Sequence, residues 1–327
     1  MSERIYNFNP HLREIFIDHR TCVKYNGIFQ KKNRFLHLSP HAPARELFPT
    51  KNITTEHWGQ RKLLVTEIEF LTQFARNGKY LVIYIGFSQG LYINYLCDLF
   101  PNVDFVLIGT RQITCEKSSR VQIRSGELID DWIKLYSKSD KNLLLICDIH
   151  TFGPRKDMDE CIQRDLENQI SWHSKLKPIA SLLTFRLSRS QSTTKFLQGD
   201  VVLGPWTSRR TIDYRFVTVQ HAELTTYDNK RMLSAFSYFQ NVIRTQYYEH
   251  DIDDSNSEGL DHCYDCRAEI NILYQYLIKF KNISDTTMIH KAILQMSHDI
   301  STNIYDKNRL SIIQQKRTLD IIPKIIK

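Results

Sequence analysis

The chain has 327 residues, 42% of them apolar and 24% charged. These proportions suit a globular protein of one large or two modest domains and exclude a fibre, a small disulfide scaffold and a wholly disordered chain. Lys and Arg number 44 against 36 Asp and Glu, a formal net charge of +8, which favours a polyanionic partner such as RNA, DNA or an anionic membrane surface without choosing among them.

In chain order, residues 1–55 show no clean periodicity, contain Pro10, Pro40, Pro43 and Pro49, and carry a basic cluster at Lys31, Lys32 and Arg34; they read as an irregular arm. The opening residues lack the apolar core of a signal peptide, so the chain is expected to be intracellular with its seven cysteines reduced. Between 57 and 76, Leu63, Leu64, Ile68, Leu71, Phe74 and Ala75 recur at helical intervals and predict an amphipathic helix. Residues 80–85 form a short apolar run rich in β-branched and aromatic side chains, the pattern of a strand covered on both faces. That run and 143–147, the longest apolar stretches, fall far short of the roughly 20 residues that span a bilayer.

A Gly-flanked turn and a helix follow, then strands over 104–108 and 120–123, a helix over 126–136, a strand over 143–149 and a helix over 157–175. Strands are expected at 179–187, 199–203 and 211–219, the later ones pairing antiparallel at one edge, and helices near 229–247, 261–280 and 285–297. Alternating strands and helices predict an α/β protein with a mostly parallel sheet and helices on both faces. The expected organisation is an arm over 1–55, one domain over 56–300 that includes the C-terminal helices, and a basic tail over 301–327. No repeat or low-complexity tract is present.

In doubly wound sheets ligands bind at the carboxyl ends of the strands, and the first glycine-rich turn approaches them most closely. Here that turn is Gly86-Phe87-Ser88-Gln89-Gly90. By itself it is a weak signal, and its central serine also fits a hydrolase nucleophile elbow, for which Asp148 with His150 or His221 are only nominal partners. Cys263 and Cys266 have ligand-like spacing, but His262 and a distant fourth ligand would be needed for a structural zinc, so no metal is expected.

The run Gly59-Gln60-Arg61-Lys62-Leu63-Leu64, the segment Val82-Ile83-Tyr84-Ile85-Gly86, the later Leu145-Ile146-Cys147-Asp148, Pro178-Ile179-Ala180-Ser181 and the region of Tyr214-Arg215 together resemble a family in order and spacing. It is the poxvirus-type cap-specific mRNA 2′-O-methyltransferase family of large cytoplasmic DNA viruses, whose members also serve as the processivity or regulatory subunit of poly(A) polymerase. The resemblance is close over about 57–250 and looser in the C-terminal helices. It implies a Rossmann-like methyltransferase fold, S-adenosylmethionine as cofactor, contacts to it at Gln60, Tyr84, Gly86, Gly90, Gly109 and Arg111, and a catalytic Lys-Asp-Lys-Glu tetrad.

On this sequence the tetrad falls on Lys62, Asp148, Thr184 and Asp213, so a threonine stands at the second lysine and an aspartate at the glutamate. A threonine hydroxyl cannot become cationic or lower a neighbour's proton affinity as an ammonium does. Gly109 replaces an acidic residue that would accept hydrogen bonds from the cofactor ribose, Gln89 replaces a proline, and Arg189 lies where the cap pocket of the family carries an aromatic ring. Lys175 and Lys177 precede the strand of Thr184 and are placed at its wrong end to compensate.

The expectation is therefore a degenerate site in which cofactor binding is doubtful. The implied role is an RNA-associated regulatory subunit in the cytoplasm or the virion, with mRNA and either the poly(A) polymerase catalytic subunit or another viral RNA-processing protein as partners. An active methyltransferase and a structural adaptor are the alternatives. Arg186, Arg189, Arg209 and Arg210, with Lys195 and Arg215 nearby in sequence, are the expected RNA contacts, and Trp206, Phe185 and Tyr214 the expected stacking faces. The competing reading puts those aromatics in the core.

Overall fold

The structure is a computed structural model that describes residues 56–86, 92–109, 118–125, 129–151, 158–188, 190–207, 213–244, 248, 250–252, 260 and 264–304. The arm before 56 and the tail after 304 lie outside the described residues.

Helix α1 (Glu56–Phe74) leads into β1 (Tyr80–Ile85), and α2 (Ile93–Leu99), β2 (Val103–Gly109), β3 (Val121–Ser125), α3 (Ile129–Tyr136), β4 (Asn142–Cys147) and α4 (Met158–Leu176) follow. Next come β5 (Ala180–Arg186), β6 (Thr193–Leu197), β7 (Asp200–Val202), β8 (Asp213–Val219) and β9 (Leu224–Asp228). The chain closes with α5 (Asn229–Tyr238), which runs on as a π-helical stretch Phe239–Ile243, then α6 (Tyr264–Lys279) and α7 (Thr286–Ile304). Helix α7 thus extends a little past the expected start of the basic tail.

Seven strands form one sheet in the order β3-β2-β1-β4-β5-β8-β7. The first five run parallel, while β8 is antiparallel to both β5 and β7. The chain builds outward from β1 to β3, then crosses back to β4, so the order reverses between β1 and β4. In doubly wound sheets such a reversal marks the crevice in which ligands bind, at the carboxyl ends of the two strands. All six residues of β1 are buried, because helices cover both faces: α1, α2, α6 and α7 pack on Tyr80, Val82 and Tyr84, and α3, α4 and α5 on the opposite face with Leu81, Ile83 and Ile85. The expected strands, the antiparallel edge and the mostly parallel sheet are all present.

Two strands went unforeseen. β6 and β9 pair antiparallel as a separate two-stranded sheet, Thr193 opposite Asp228 and Leu197 opposite Leu224. Their sequences are threonine-rich, and β6 buries only Thr194, Phe196 and Leu197, so neither reads as an apolar run.

The C-terminal helices are integral to the domain. Ile270, Leu273 and Leu277 of α6 join the core beside α1, the ordinary outcome for such a stripe. A polar seam crosses the same interface. Arg61 of α1 donates to both carboxylate oxygens of Glu269 at 2.9 and 2.5 Å and to the hydroxyls of Ser297 and Ser301 of α7, each at 2.9 Å. Trp206, after β7, donates its indole N–H to Glu269 at 2.6 Å and its backbone N–H to Asp265 at 3.0 Å. Asp265 also accepts from Arg244 at 2.9 Å, and neither side chain of that pair is exposed at all.

Candidate functional site

The carboxyl ends of β1 and β4 come into backbone contact. Gly86 has φ of +86°, and a Cβ placed there would lie 2.6 Å from the carbonyl oxygen of Asp148. Glycine is therefore required twice, by its left-handed conformation and by this approach. The ladder continues past the strands through Gly86 N–H to Ile108 O and Asp148 N–H to Ile85 O, each 2.9 Å.

Asp148 is the hub. Its Oδ1 lies 3.1 Å from Arg215 Nη1 and 3.3 Å from His150 Nε2. Burial pushes its carboxyl up, but the His150 hydrogen bond and the charges of Arg215, His150 and Lys62 outweigh burial and hold it well below the usual carboxylate range. Lys62 and Asp148, the two tetrad residues preserved in the sequence, are thus electrostatically coupled. The sequence offered His150 only as a nominal partner in the hydrolase reading, yet it faces the hub.

Thr184 is sealed. Its N–H and C=O are both taken by the side-chain amide of Gln169, at 2.8 and 2.9 Å, and its hydroxyl donates to Cys147 O at 3.0 Å. Arg215, opposite Thr184 in the β5–β8 register, donates through Nη1 to Cys147 O at 2.7 Å and to Thr184 Oγ1 at 3.3 Å, and through Nη2 to Leu182 O at 3.4 Å. A cation therefore does stand beside the missing lysine, supplied by the neighbouring strand. Arg215 was expected on a basic surface, and its side chain is only 5% exposed.

Arg186 departs from expectation in the same way. Its guanidinium is buried, 3.6 Å from Asp165 Oδ2 and 3.4 Å from Thr151 O. Asp165 accepts from the N–H and hydroxyl of Thr151 at 2.9 and 2.6 Å. The pair ties the segment after β4 to α4 rather than facing a phosphate. The aromatics are core as well: Phe185 and Trp206 are buried, and Tyr214 stacks on Phe236 with ring centroids 3.6 Å apart.

Of the remaining expected residues, Gln60 is buried on α1 and Gly109 ends β2 beside Ser125. The backbone of Asp213 starts β8 opposite Arg186. Gly90, Arg111, Arg189, Arg209, Arg210, Cys263 and His262 lie outside the described residues. Among the described residues no group of three or more His, Cys, Asp or Glu side chains is arranged to hold a metal ion, and no helix is long and apolar enough to cross a membrane.

Glu67 escaped the sequence reading. It lies on α1 four residues after Leu63 and four before Leu71, squarely on the apolar face, and it is wholly buried. A carboxylate at such a position was the available signal. Its Oε1 accepts from Tyr84 OH at 2.6 Å and Tyr92 OH at 3.1 Å, while Oε2 has no hydrogen-bond partner among the described residues. Burial pushes this carboxyl up to about 7, against the lowering effects of the Tyr84 hydrogen bond and the Arg215 charge. Both phenols are driven well above their ordinary range, first by burial and then by the Glu67 charge, so they remain neutral donors.

Six strands running one way, a single antiparallel strand, β8, between β5 and β7, and a reversal of order between β1 and β4 define a Rossmann-like methyltransferase fold. The sequence profile of the poly A polymerase regulatory subunit family matches residues 45–303, well over half of the chain. The chain belongs to that family. It is also 31% identical over 141 residues to a cap-specific mRNA (nucleoside-2′-O-)-methyltransferase of fowlpox virus (strain NVSL). That match covers 39% of this chain and 46% of the fowlpox protein, so it spans less than half of the relative's length.

Similar solved structures are more distant. The bluetongue virus capping protein VP4 is 11% identical, with 71% of this chain and 36% of that one covered and a TM-score of 0.46. Human methyltransferase-like protein 13, in complex with SAH, is 11% identical over 62% of this chain and 97% of its own, with a TM-score of 0.30. At these scores the fold rests on the strand order itself.

Proposed function

We propose that this protein is an RNA-associated regulatory subunit that retains the methyltransferase fold and has lost methyl transfer. The environment of Thr184 carries this reading. Neither Thr184 nor Arg215 can serve as a base there, since a threonine hydroxyl does not ionise and a guanidinium stays protonated. Arg215 restores the charge of the family's lysine, but its Nη1 is committed to Cys147 O, Asp148 and Thr184. Charge is kept and reach is lost. A base or a steering ammonium must touch the hydroxyl it acts on.

The residues at the crevice fit S-adenosylmethionine in part. Gly86 allows the close backbone approach that such a ligand needs, whereas Gly109 offers no carboxylate to ribose hydroxyls. When bound, the cofactor supplies an electrophilic methyl group. Its affinity is expected to be weak. The partners proposed are mRNA and the catalytic subunit of poly(A) polymerase, with a cytoplasmic site of action.

A second reading, an active cap 2′-O-methyltransferase, is favoured by the coupling of Lys62 to Asp148 and by the fowlpox relative. One pair of assays decides. Purified protein is incubated with capped RNA and methyl-labelled S-adenosylmethionine, and RNA affinity is measured across a salt series. No label transfer together with affinity that falls steeply with salt is expected. Label in the ribose 2′ position overturns the proposal in favour of the enzyme, and absence of RNA binding even at low ionic strength leaves a structural adaptor.

A further inference from the structure

Glu67 is a buried carboxyl whose second oxygen has no hydrogen-bond partner among the described residues. Burying such a group is costly, and leucine or methionine would fill a site on the α1 apolar face without that cost. What the carboxyl achieves is specific. One oxygen accepts from two phenols on two different elements: Tyr84, two residues before Gly86 at the end of β1, and Tyr92, the residue that opens α2. The two hydroxyls are themselves 3.5 Å apart. A three-way junction under the crevice therefore ties α1, which bears Lys62, to the end of β1 and the start of α2.

We propose that Glu67 is a positioning residue that aligns Gly86 and the start of α2 against Asp148 for ligand binding, a role that rests on the cofactor site proposed above. It touches no ligand; it acts through Tyr84 and Tyr92. The side chain needs an acceptor oxygen at this point, so Glu67→Gln preserves the junction and Glu67→Leu abolishes it. A purely space-filling role predicts the reverse order, because leucine is the better core residue.

The test titrates the full chain, Glu67→Gln, Glu67→Leu and Tyr92→Phe with S-adenosylhomocysteine by calorimetry, and follows amide hydrogen exchange over residues 84–96 and over α6 and α7. Glu67→Gln should bind within about twofold of the parent, Tyr92→Phe about threefold more weakly and Glu67→Leu about tenfold more weakly, as expected for losing one or two modest hydrogen bonds. Exchange in Glu67→Leu should accelerate about tenfold over 84–96 and stay unchanged in α6 and α7.

Equal binding by Glu67→Leu and the parent, or exchange that rises uniformly through the domain, overturns the proposal. If the parent takes up no S-adenosylhomocysteine at millimolar concentration, the cofactor reading fails by itself. Exchange then decides: acceleration over 84–96 in Glu67→Leu that Glu67→Gln reverses supports the positioning role, and unaltered exchange refutes it.

Discussion

Glu67 also makes the stability of the protein depend on pH in a direction opposite to that of most carboxylates. Its folded value is about 7 against 4.5 when unfolded, so between those values the folded chain binds the extra proton. Stability must then fall as pH rises through that window and level off above it. At about 1.4 kcal/mol per unit, the full difference is about 3 kcal/mol, most of which is lost between pH 5 and pH 8.

Glu67→Gln removes the titration and keeps an acceptor for Tyr84 and Tyr92. The assay is urea unfolding of both proteins at pH 5, 6, 7 and 8, comparing the difference in stability at each pH, so that groups common to both cancel. Asp148 does not interfere. Its value is lowered, so its contribution is present above the unfolded carboxylate range and is lost only at more acidic pH. The variant should gain about 2 to 3 kcal/mol relative to the parent from pH 5 to pH 8. A difference that is the same at every pH would refute the assignment of a protonatable, uncompensated carboxyl to this position.

Three further outcomes follow from the geometry. Asp265→Asn removes the carboxylate charge that faces the Arg244 guanidinium where neither side chain is exposed, and urea unfolding should register a loss of about 3 to 5 kcal/mol. Gly86→Ala forces a left-handed backbone on alanine and drives its Cβ into the Asp148 carbonyl, so thermal unfolding should show a loss of at least about 2 kcal/mol and amide exchange at Asp148 should rise. Thr184→Lys by itself inserts an ammonium beside the buried Arg215 guanidinium and should destabilise by about 3 kcal/mol. Thr184→Lys with Arg215→Met should recover part of that loss, a positive coupling that a double-mutant cycle measures directly.

Much of the fold was legible because the sheet is parallel and covered on both faces. β1, β2, β4 and β5 had to be runs of apolar residues, and such runs announce themselves. β6 and β9 belong to a small antiparallel pair at the periphery, where alternate positions stay exposed and the apolar signal halves. In the site, Lys62 and Asp148 were found through the family resemblance, which matches residues along the chain.

Arg215 and Arg186 were misplaced for a physical reason. An arginine in a strand reads as surface unless its counter-charge is known, and the partners of these two, Asp148 and Asp165, are set by β5–β8 register and by the docking of α4. Neither is visible in local sequence. Glu67 was legible in principle, since a lone carboxylate on the apolar face of α1 breaks the pattern that identifies the helix.

The polar seam between α1 and the C-terminal helices bears on how the chain is made. Arg61 finds its carboxylate partner 208 residues later, at Glu269. At a synthesis rate of about 5 to 20 residues per second, about 10 to 40 s separate the synthesis of Arg61 from that of Glu269. During that interval α1 can dock on the nascent sheet only without the Glu269 carboxylate against its guanidinium. The latch between the first helix and the last two therefore closes only after α6 and α7 have been synthesised, and a ribosome that stalls before α6 leaves Arg61 without Glu269, Ser297 and Ser301.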